Sequence, residues 1–454
     1  MLQVLKSLKS NTVTTVNDIQ IDSILERKIN LITKDLSSNY ANRLITTPGD
    51  NALSIADFIL SLKTEINLSN NHIKNNIMVL TLLSRFHNNL KSFKEMTRED
   101  VIAFLDGTRK PESVDPLHKW IGTYNTYRTL ILKFFKWLYH PDIESIKRPR
   151  PNIFENIPLL NRKEQSSYKP TDLWTEQDDL LFLNYCPSRR DRCYHMISKD
   201  TSCRPHEILK LRIKDLVFKI SGNTQYAEVL VCGKTGSRHI PLINSIPYIK
   251  DWLDEHPQKG NINSPLICGL GKSLGRCIQS VSLDAIYGSY KTKLFPKLLE
   301  DPNVSQEDKH KIKELLKKPW NPYIRRHSAL TQKSRFLKEH VLRQHAGWSG
   351  RSQMHLKYLH YYGNESNESI LEAYGIVTKE QNLSDTLKPK QCPNCNEPNK
   401  PDGKFCAKCR MILSYDVYED TVNNRQEKED AITMLSDQVM KLMTEMQELR
   451  NKMQ

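Results

Sequence analysis

Residues 321 to 331 read NPYIRRHSALT. Between Glu314 and Glu339 the chain has no carboxylate, yet Lys317, Lys318, Arg325, Arg326, Lys333, Arg335 and Lys338 all fall there. A guanidinium gives planar, paired hydrogen bonds to carboxylate or phosphate oxygens. With no acid in its own neighbourhood, the cluster raises the question of which anion it holds. Three other stretches carry related residue types. Arg204 stands in DTSCRPHEILKLRIKDL, at the expected mouth of a helix, where free N–H groups and the macrodipole already favour an anion. Glu207, three residues on, is placed to orient its guanidinium. Lys234 sits in the Gly-rich turn GKTGSR, at a tip that can reach into a groove, and HLKYLHYYG offers Tyr358, Tyr361 and Tyr362. Taken singly, each has an ordinary explanation as surface ion pair, solvated lysine or half-buried packing.

The elements that must position these groups divide the chain. Residues 18 to 140 read as almost entirely helical, with Thr97 and Asp100 forming a cap before VIAFL. In WIGTYNTYRTLILKFFKWLY, the residues Trp120, Tyr124, Tyr127, Ile131, Phe134, Phe135 and Leu138 recur at helical spacing, which predicts a core-facing stripe. Lys133 and Lys136 fall off that stripe. Prolines at 141, 149, 151 and 158 break the periodicity and predict a linker. A second cap, Thr175 with Asp178, opens a mixed domain. There Pro205 suits a helix start, and AEVLVCGKTGSRHIPLI reads as a hairpin. The expected fold is therefore mainly α with a small antiparallel sheet. The expected divisions are a helical extension over 1–45, a helical domain over 46–145, a linker over 146–172, a mixed domain over 173–377, a cysteine module over 378–413 and a terminal helix over 425–454.

The order and spacing of the motifs add what no single one carries. R-P-H-E, G-K-T-G-S-R-H-I-P-L, Y-I-R-R-H-S, H-A-G-W and K-Y-L-H, in that order, resemble the catalytic domain of the tyrosine recombinase (phage integrase-type) family over about residues 173 to 376. More weakly, the region from about 46 to 140 is similar to the family's core-binding domain. The tail SILEAYGI before a cysteine module looks most like archaeal members. The resemblance implies phosphate-binding arginines at Arg204 and Arg326, a general acid at Lys234, an indole wall and donor at Trp348, and a nucleophile at Tyr358. It also implies a covalent 3′-phosphotyrosine with a free 5′-hydroxyl. The Y-x-H pattern and the distance from Trp348 select Tyr358 over Tyr361 and Tyr362. Two departures stand out. Tyr323 occupies the family's usual histidine position, where a phenol, with a reference pKa near 10, is a poor proton acceptor. Tyr358 lies one residue further from Trp348 than usual, a spacing that is harmless if the extra residue falls in the SGRS loop. Chemically the set is coherent: arginines stabilise charge developing on phosphate oxygens, a phenol attacks and a lysine protonates the departing oxygen. No cofactor is expected for catalysis, and no Asp/Glu cluster suggests a catalytic metal.

Composition fits a polyanion partner. The 454 residues are too many for one ordinary core, and the formal net charge is +15. No apolar run is long enough to span a bilayer, and the first residues lack signal-peptide features. A cytoplasmic, nucleoid-associated protein acting on double-stranded DNA, with no membrane partner, is expected. Of ten cysteines, Cys186, Cys193, Cys203, Cys232, Cys268 and Cys277 are scattered and read as free thiols. Cys392, Cys395, Cys406 and Cys409 instead form two C-x-x-C knuckles, the pattern of a zinc ribbon with a structural zinc. Ile432, Leu435, Val439, Leu442, Met446, Leu449 and Met453 alternate by three and four, as in a coiled-coil seam. This points to a homo-oligomer, a tetramer at synapsis. Site-specific recombination is the leading reading. A type IB topoisomerase-like enzyme and a non-catalytic zinc-containing DNA-binding protein stay open beside it.

Overall fold

Helix caps set the boundaries of the first half of the chain. In the computed structural model, residues 16–66, 68–162, 168–222, 224–233, 235–360, 371, 374 and 385–452 are described. The chain falls into two units that divide between Ser167 and Tyr168. The first holds α1 (Val16–Thr33), α2 (Ser38–Ile45), α3 (Gly49–Glu65), α4 (Asn70–Phe86), α5 (Arg98–Asp106) and α6 (Trp120–Tyr139). Thr97 and Asp100 make a reciprocal capping box at the start of α5. The α6 stripe is core: Tyr124, Ile131, Phe134 and Phe135 are buried, while Trp120, Tyr127 and Leu138 pack at its margin. Phe134 meets Phe58 and Phe93 edge-on, with centroids 5.3 and 4.9 Å apart. Lys133 stays exposed.

The proline-rich stretch is not a free tether over its whole length. Ile153, Phe154 and Ile157 are buried in the first unit's core. The Arg128 guanidinium donates twice to the Ile157 carbonyl, at 2.9 and 2.6 Å. Prolines preclude a long helix there, but a single 3-10 turn (Asn152–Phe154) still delivers apolar side chains to the core.

The second unit contains α7 (Glu176–Tyr185), α8 (Arg189–Thr201), α9 (Pro205–Ile208), the strands β1 (Leu216–Ser221), β2 (Thr224–Gly233) and β3 (Gly236–Leu242), then α10 (Ile246–Glu255). The helices α11 (Ser280–Ser289), α12 (Phe295–Leu298), α13 (Gln306–Lys317), α14 (Pro322–Ser334), α15 (Glu339–Ala346) and α16 (Met354–His360) follow. The sheet is antiparallel in the order β1-β2-β3, and the hairpin register ends at Gly233 opposite Gly236. Alternation puts Ala227, Val229, Val231, Ile240 and Leu242 on the core face. Trp174, Phe182, Tyr287, Phe295 and Trp320 fill the space between the helices. The architecture is thus mainly helical with small antiparallel sheets.

Four of the scattered thiols, Cys186, Cys193, Cys203 and Cys268, are buried; Cys232 and Cys277 are exposed, and all six are free. A two-stranded sheet, β4 (Lys390–Gln391) with β5 (Pro398–Asn399), carries the cysteine module. The module docks on α10. Lys400 pairs with Asp251 at 2.7 Å, Glu397 pairs with Lys250, and the Lys400 ammonium lies over the Tyr248 ring. Leu387 is buried against Leu183, Met196 and Tyr248. The last helix, α17 (Tyr415–Lys452), begins ten residues before the expected start at 425. No helix breaker intervenes, and Asp416, Glu419 and Asp420 suit the positive end of a helix dipole. Among the described residues, no helix is long and apolar enough to cross a membrane.

Candidate active site

The basic cluster of α14 splits into neutralised and available charges. Arg325 is fully buried and pairs with Asp179 at 2.5 Å, its guanidinium over the Trp174 ring. Asp179 also meets His195 at 3.2 Å and Lys199 at 3.5 Å. Burial alone would raise the Asp179 carboxyl, but Arg325, Lys199 and His195 hold it far below the usual carboxylate range. His195 is pushed down to about 4, first by burial and then by Arg325. Lys318 pairs with Asp178 at 2.5 Å and Lys317 with Glu314 at 2.6 Å. The expectation that the cluster is free of carboxylates therefore fails for three of its members. Their acids come from distant or flanking sequence.

Arg326 is different. Its Nη1 donates to the Ser202 carbonyl at 2.5 Å and its Nη2 to the Ala346 carbonyl at 2.9 Å. Neutral carbonyls hold the guanidinium without cancelling its charge. Burial lowers its pKa, the neighbouring Tyr358 opposes this, and Arg204 is close enough to add to the lowering. Ser202 sits in the left-handed region at φ 50°, which turns its carbonyl toward Arg326 just ahead of Arg204.

Arg204 caps α9, which is a single turn of four residues. So short a helix has little dipole, and the expected helix-end contribution to anion binding is not available there. What positions Arg204 is Glu207. Its carboxylate accepts from the Arg204 backbone N–H at 3.1 Å and from its guanidinium at 2.9 Å. The same carboxylate takes Arg238 at 3.0 Å. Burial would raise Glu207, but these bonds and charges hold it below its usual range. Glu207 orients the Arg204 guanidinium, as the spacing of three implies. One carboxylate serves two arginines, so the pair keeps a net positive charge.

Everything meets at the C-terminal end of α15. The His345 carbonyl accepts from Arg238 Nε at 3.0 Å, the Ala346 carbonyl from Arg326, and the Gly347 carbonyl from Thr235 Oγ1 at 3.0 Å. These are orphan carbonyls of a helix end, and cations are favoured there. They join the hairpin and α14 to one turn, just before Trp348, and Arg204 is linked to it through Glu207 and Arg238. Gly347 has φ 64°, and a Cβ on it would lie 2.5 Å from Arg238 Nη1. Gly233 is equally confined, because a Cβ there would come within 2.6 Å of Glu207 Oε1. Lys234, in the hairpin turn between Gly233 and Thr235, lies outside the described residues, as do Tyr361 and Tyr362.

Tyr358 lies on α16 at 2% exposure. Its ring stacks between Trp348 and His327, with centroids 5.3 and 5.7 Å away, and its hydroxyl is 3.0 Å from His327 Nδ1. Leu330, Leu342 and Ala346 close the apolar pocket around it. His327 is held down to about 4 by burial, Arg326 and Lys357. His345 is held down to about 3 by burial, Lys333, Arg238 and Arg326. Tyr323 is 44% exposed, on the first turn of α14. Residues 347–353 form the turn that joins α15 to α16. Of the residues expected at a site, the fold brings Arg204, Arg326, Trp348 and Tyr358 into one region. Sequence reading left out Arg238 and His327, although both stand inside the quoted motifs.

The four cysteines lie apart from this site. Their Sγ atoms are all within 4.8 Å of one another, with Cys392 to Cys409 at 3.5 Å and Cys395 to Cys406 at 3.6 Å. A tetrahedral zinc with Zn–S near 2.3 Å spaces its sulfurs by about 3.8 Å, so the donor set fits such an ion. The two knuckles are alike. Asn396 N donates to the Cys392 carbonyl at 2.8 Å and Arg410 N to the Cys406 carbonyl at 3.0 Å, and both Asn396 and Arg410 are left-handed.

No family model matches the chain, and no curated protein matches it. Solved structures do. The chain is similar to the XerH site-specific recombinase in a post-cleavage complex with palindromic difH substrate, at 18% identity and TM-score 0.48, covering 78% of this chain and 94% of that one. It is similar to the Tn1549 transposon integrase in complex with transposon right-end DNA, at 13% identity and TM-score 0.46, covering 71% and 99%. It is also similar to a lambda integrase dimer bound to a COC′ core site, at 12% identity and TM-score 0.43, covering 68% and 95%.

Proposed function

We propose that this chain is a DNA strand-transfer enzyme of the tyrosine recombinase type. The observation that carries the reading is the convergence at residues 345–348. Arg326 is tied directly to the turn whose indole, Trp348, stacks on the Tyr358 phenol, and Arg204 is linked to that turn through Glu207 and Arg238. A phosphodiester placed over the two guanidiniums would present its phosphorus to Tyr358. The Tyr358 oxygen would form a bond to phosphorus as the bond from phosphorus to the 5′-oxygen breaks. Arg204, Arg326 and the Trp348 indole N–H would stabilise charge on the non-bridging oxygens. Lys234 would protonate the departing 5′-oxygen. The product is a 3′-phosphotyrosine that another 5′-hydroxyl can attack without an external energy source. Tyr323, exposed at the edge of α14, contributes at most one hydrogen bond to phosphate.

The cysteine module would hold a structural zinc through Cys392, Cys395, Cys406 and Cys409, bracing the unit through α10. Double-stranded DNA is the partner, approached by a chain of net charge +15. The apolar stripe of α17 would bring copies together, with four subunits at synapsis.

The test is a nicked suicide duplex drawn from the flanks of the chain's own coding locus, read as an SDS-stable protein–DNA adduct. The wild type should form it. Tyr358→Phe should abolish it with DNA binding near normal, whereas Tyr361→Phe and Tyr362→Phe should retain it. An adduct that survives Tyr358→Phe overturns the assignment of the nucleophile.

A further inference from the structure

A phenol that attacks phosphorus must lose its proton, and the position where the resemblance places a histidine holds Tyr323, which is 44% exposed. The chain supplies another group. We infer that His327 is the proton acceptor for Tyr358, a catalytic residue that touches the reacting oxygen itself; this rests on the reading of Tyr358 as nucleophile.

The geometry is direct. His327 Nδ1 lies 3.0 Å from the Tyr358 hydroxyl, within the reach of a general base. The rings stack at 5.7 Å, and Trp348 closes the opposite face of the phenol, so its hydroxyl is steered toward the imidazole. His327 follows Arg326 directly on α14, so the acceptor and the phosphate-binding guanidinium are fixed by one turn of helix. Among the described residues, the charged and titratable groups around the imidazole include Arg326, Lys357, Tyr358 and the Tyr168 ring, whose centroid is 5.2 Å away. Burial and the two cations keep the imidazole neutral in the DNA-free chain, and in the tautomer protonated at Nε2 its Nδ1 accepts from the phenol. An incoming phosphate brings a negative charge beside both cations, which removes part of what opposes protonation of His327.

The step balances. As the Tyr358 oxygen bonds to phosphorus and the bond to the 5′-oxygen breaks, the phenolic proton moves to Nδ1 and an imidazolium forms. The 5′-oxygen takes its proton from a separate acid. On religation the imidazolium returns its proton to the Tyr358 oxygen.

The experiment measures single-turnover adduct formation from pH 6 to 10 on a nicked duplex with a sulfur at the scissile 5′ position. That leaving group needs no acid, so the rate reports removal of the phenolic proton. His327→Asn keeps a small polar group near Nδ1 but cannot take the proton, and His327→Ala removes it. Both should bind the duplex like the wild type and cleave about 100-fold or more slowly at pH 7. Their rates should climb as pH approaches the phenol's own pKa near 10, and added imidazole should restore part of the His327→Ala rate. A His327→Asn rate and pH profile equal to the wild type would overturn proton transfer and leave His327 a positioning residue. Full-rate His327→Ala would remove even that role. If His327→Ala does not fold, as a thermal melt would show, His327→Asn and His327→Gln decide the matter. An adduct from Tyr358→Phe, or none from the wild type, removes the nucleophile and this inference together. An adduct lost in Tyr358→Phe but kept in the His327 variants removes the inference alone.

Discussion

At the scale of single residues, two neighbouring arginines separate what sequence can reveal from what it cannot. Arg325 and Arg326 are adjacent, and motif spacing marks the second. Nothing local shows that Arg325 is spent on Asp179, nearly 150 positions earlier in the chain. The two should fail differently. In the proposed reaction Arg326→Ala removes a phosphate-binding guanidinium and should cut adduct formation by roughly 100- to 1,000-fold, while freeing two carbonyls at a smaller cost to stability than the loss of Arg325. Arg325→Ala leaves the Asp179 carboxylate buried against only Lys199 and His195. Breaking a buried pair typically costs about 3–5 kcal/mol, so its loss should appear as unfolding. Melting temperature and adduct yield per folded molecule, measured on both variants, check this. A stable Arg325→Ala protein without activity would move Arg325 into the site. Tyr323→Phe should cost far less than either, because its hydroxyl lies at the exposed edge of α14. The backbone carbonyls that hold Arg326 were not readable in advance. They belong to Ser202 and Ala346, and a carbonyl has no sequence signature.

At the scale of elements, caps and alternation were readable because their causes lie within a few residues. Thr175 with Asp178 forms a reciprocal box as its spacing implies, and β2 buries every second side chain. The helix after Pro205 was readable only at its start. HEILKLRIKDL has helical propensity, yet Leu209 and Leu211 are both buried at a spacing of two, and Arg212 with Asp215 opens a new 3-10 turn. Tertiary burial overrides propensity there. The docking of the cysteine module was equally hidden, since it depends on the face α10 turns outward. That docking has a consequence for metal removal. Four-thiolate modules fold on their metal. Chelation should therefore release residues 385–413 and also loosen α10, which loses Glu397, Lys400 and the Leu387 contact. Hydrogen exchange should rise in both segments while α14 stays protected. Faster exchange confined to the module would mean that its contacts with α10 carry no stability.

At the scale of the whole molecule, buried neutral histidines make acid the weak side of the fold. His195 and His327 titrate near 4 and His345 near 3 in the folded chain, all below the ordinary 6.5. The unfolded chain takes up these protons as pH falls through 6.5, while the folded chain does not. Their contribution to stability is therefore complete above 6.5 and is lost as pH drops toward 4. Melting temperature should fall across that window, and a flat profile would refute the neutral assignments. The other molecular property is assembly. On α17 the seam residues Ile432, Leu435, Val439, Leu442 and Met446 are 50–70% exposed, so this face does not pack against the rest of the described chain. Leu449 and Met453 lie where side chains are not described. Joining two copies buries five such side chains on each, at about 1–2 kcal/mol apiece, since each is already partly covered. Association itself costs about 4–15 kcal/mol in lost freedom. The midpoints leave a surplus of about 5 kcal/mol, against about 8 for a micromolar Kd, which predicts self-association weaker than micromolar in free solution. Neighbouring copies on one DNA raise the local concentration and shift that balance. Deleting 415–454 should therefore leave single-site binding unchanged, abolish the weak self-association seen by sedimentation at high concentration, and reduce pairing of two DNA sites. Identical sedimentation and identical pairing with and without the helix would show that α17 does not join copies of this chain.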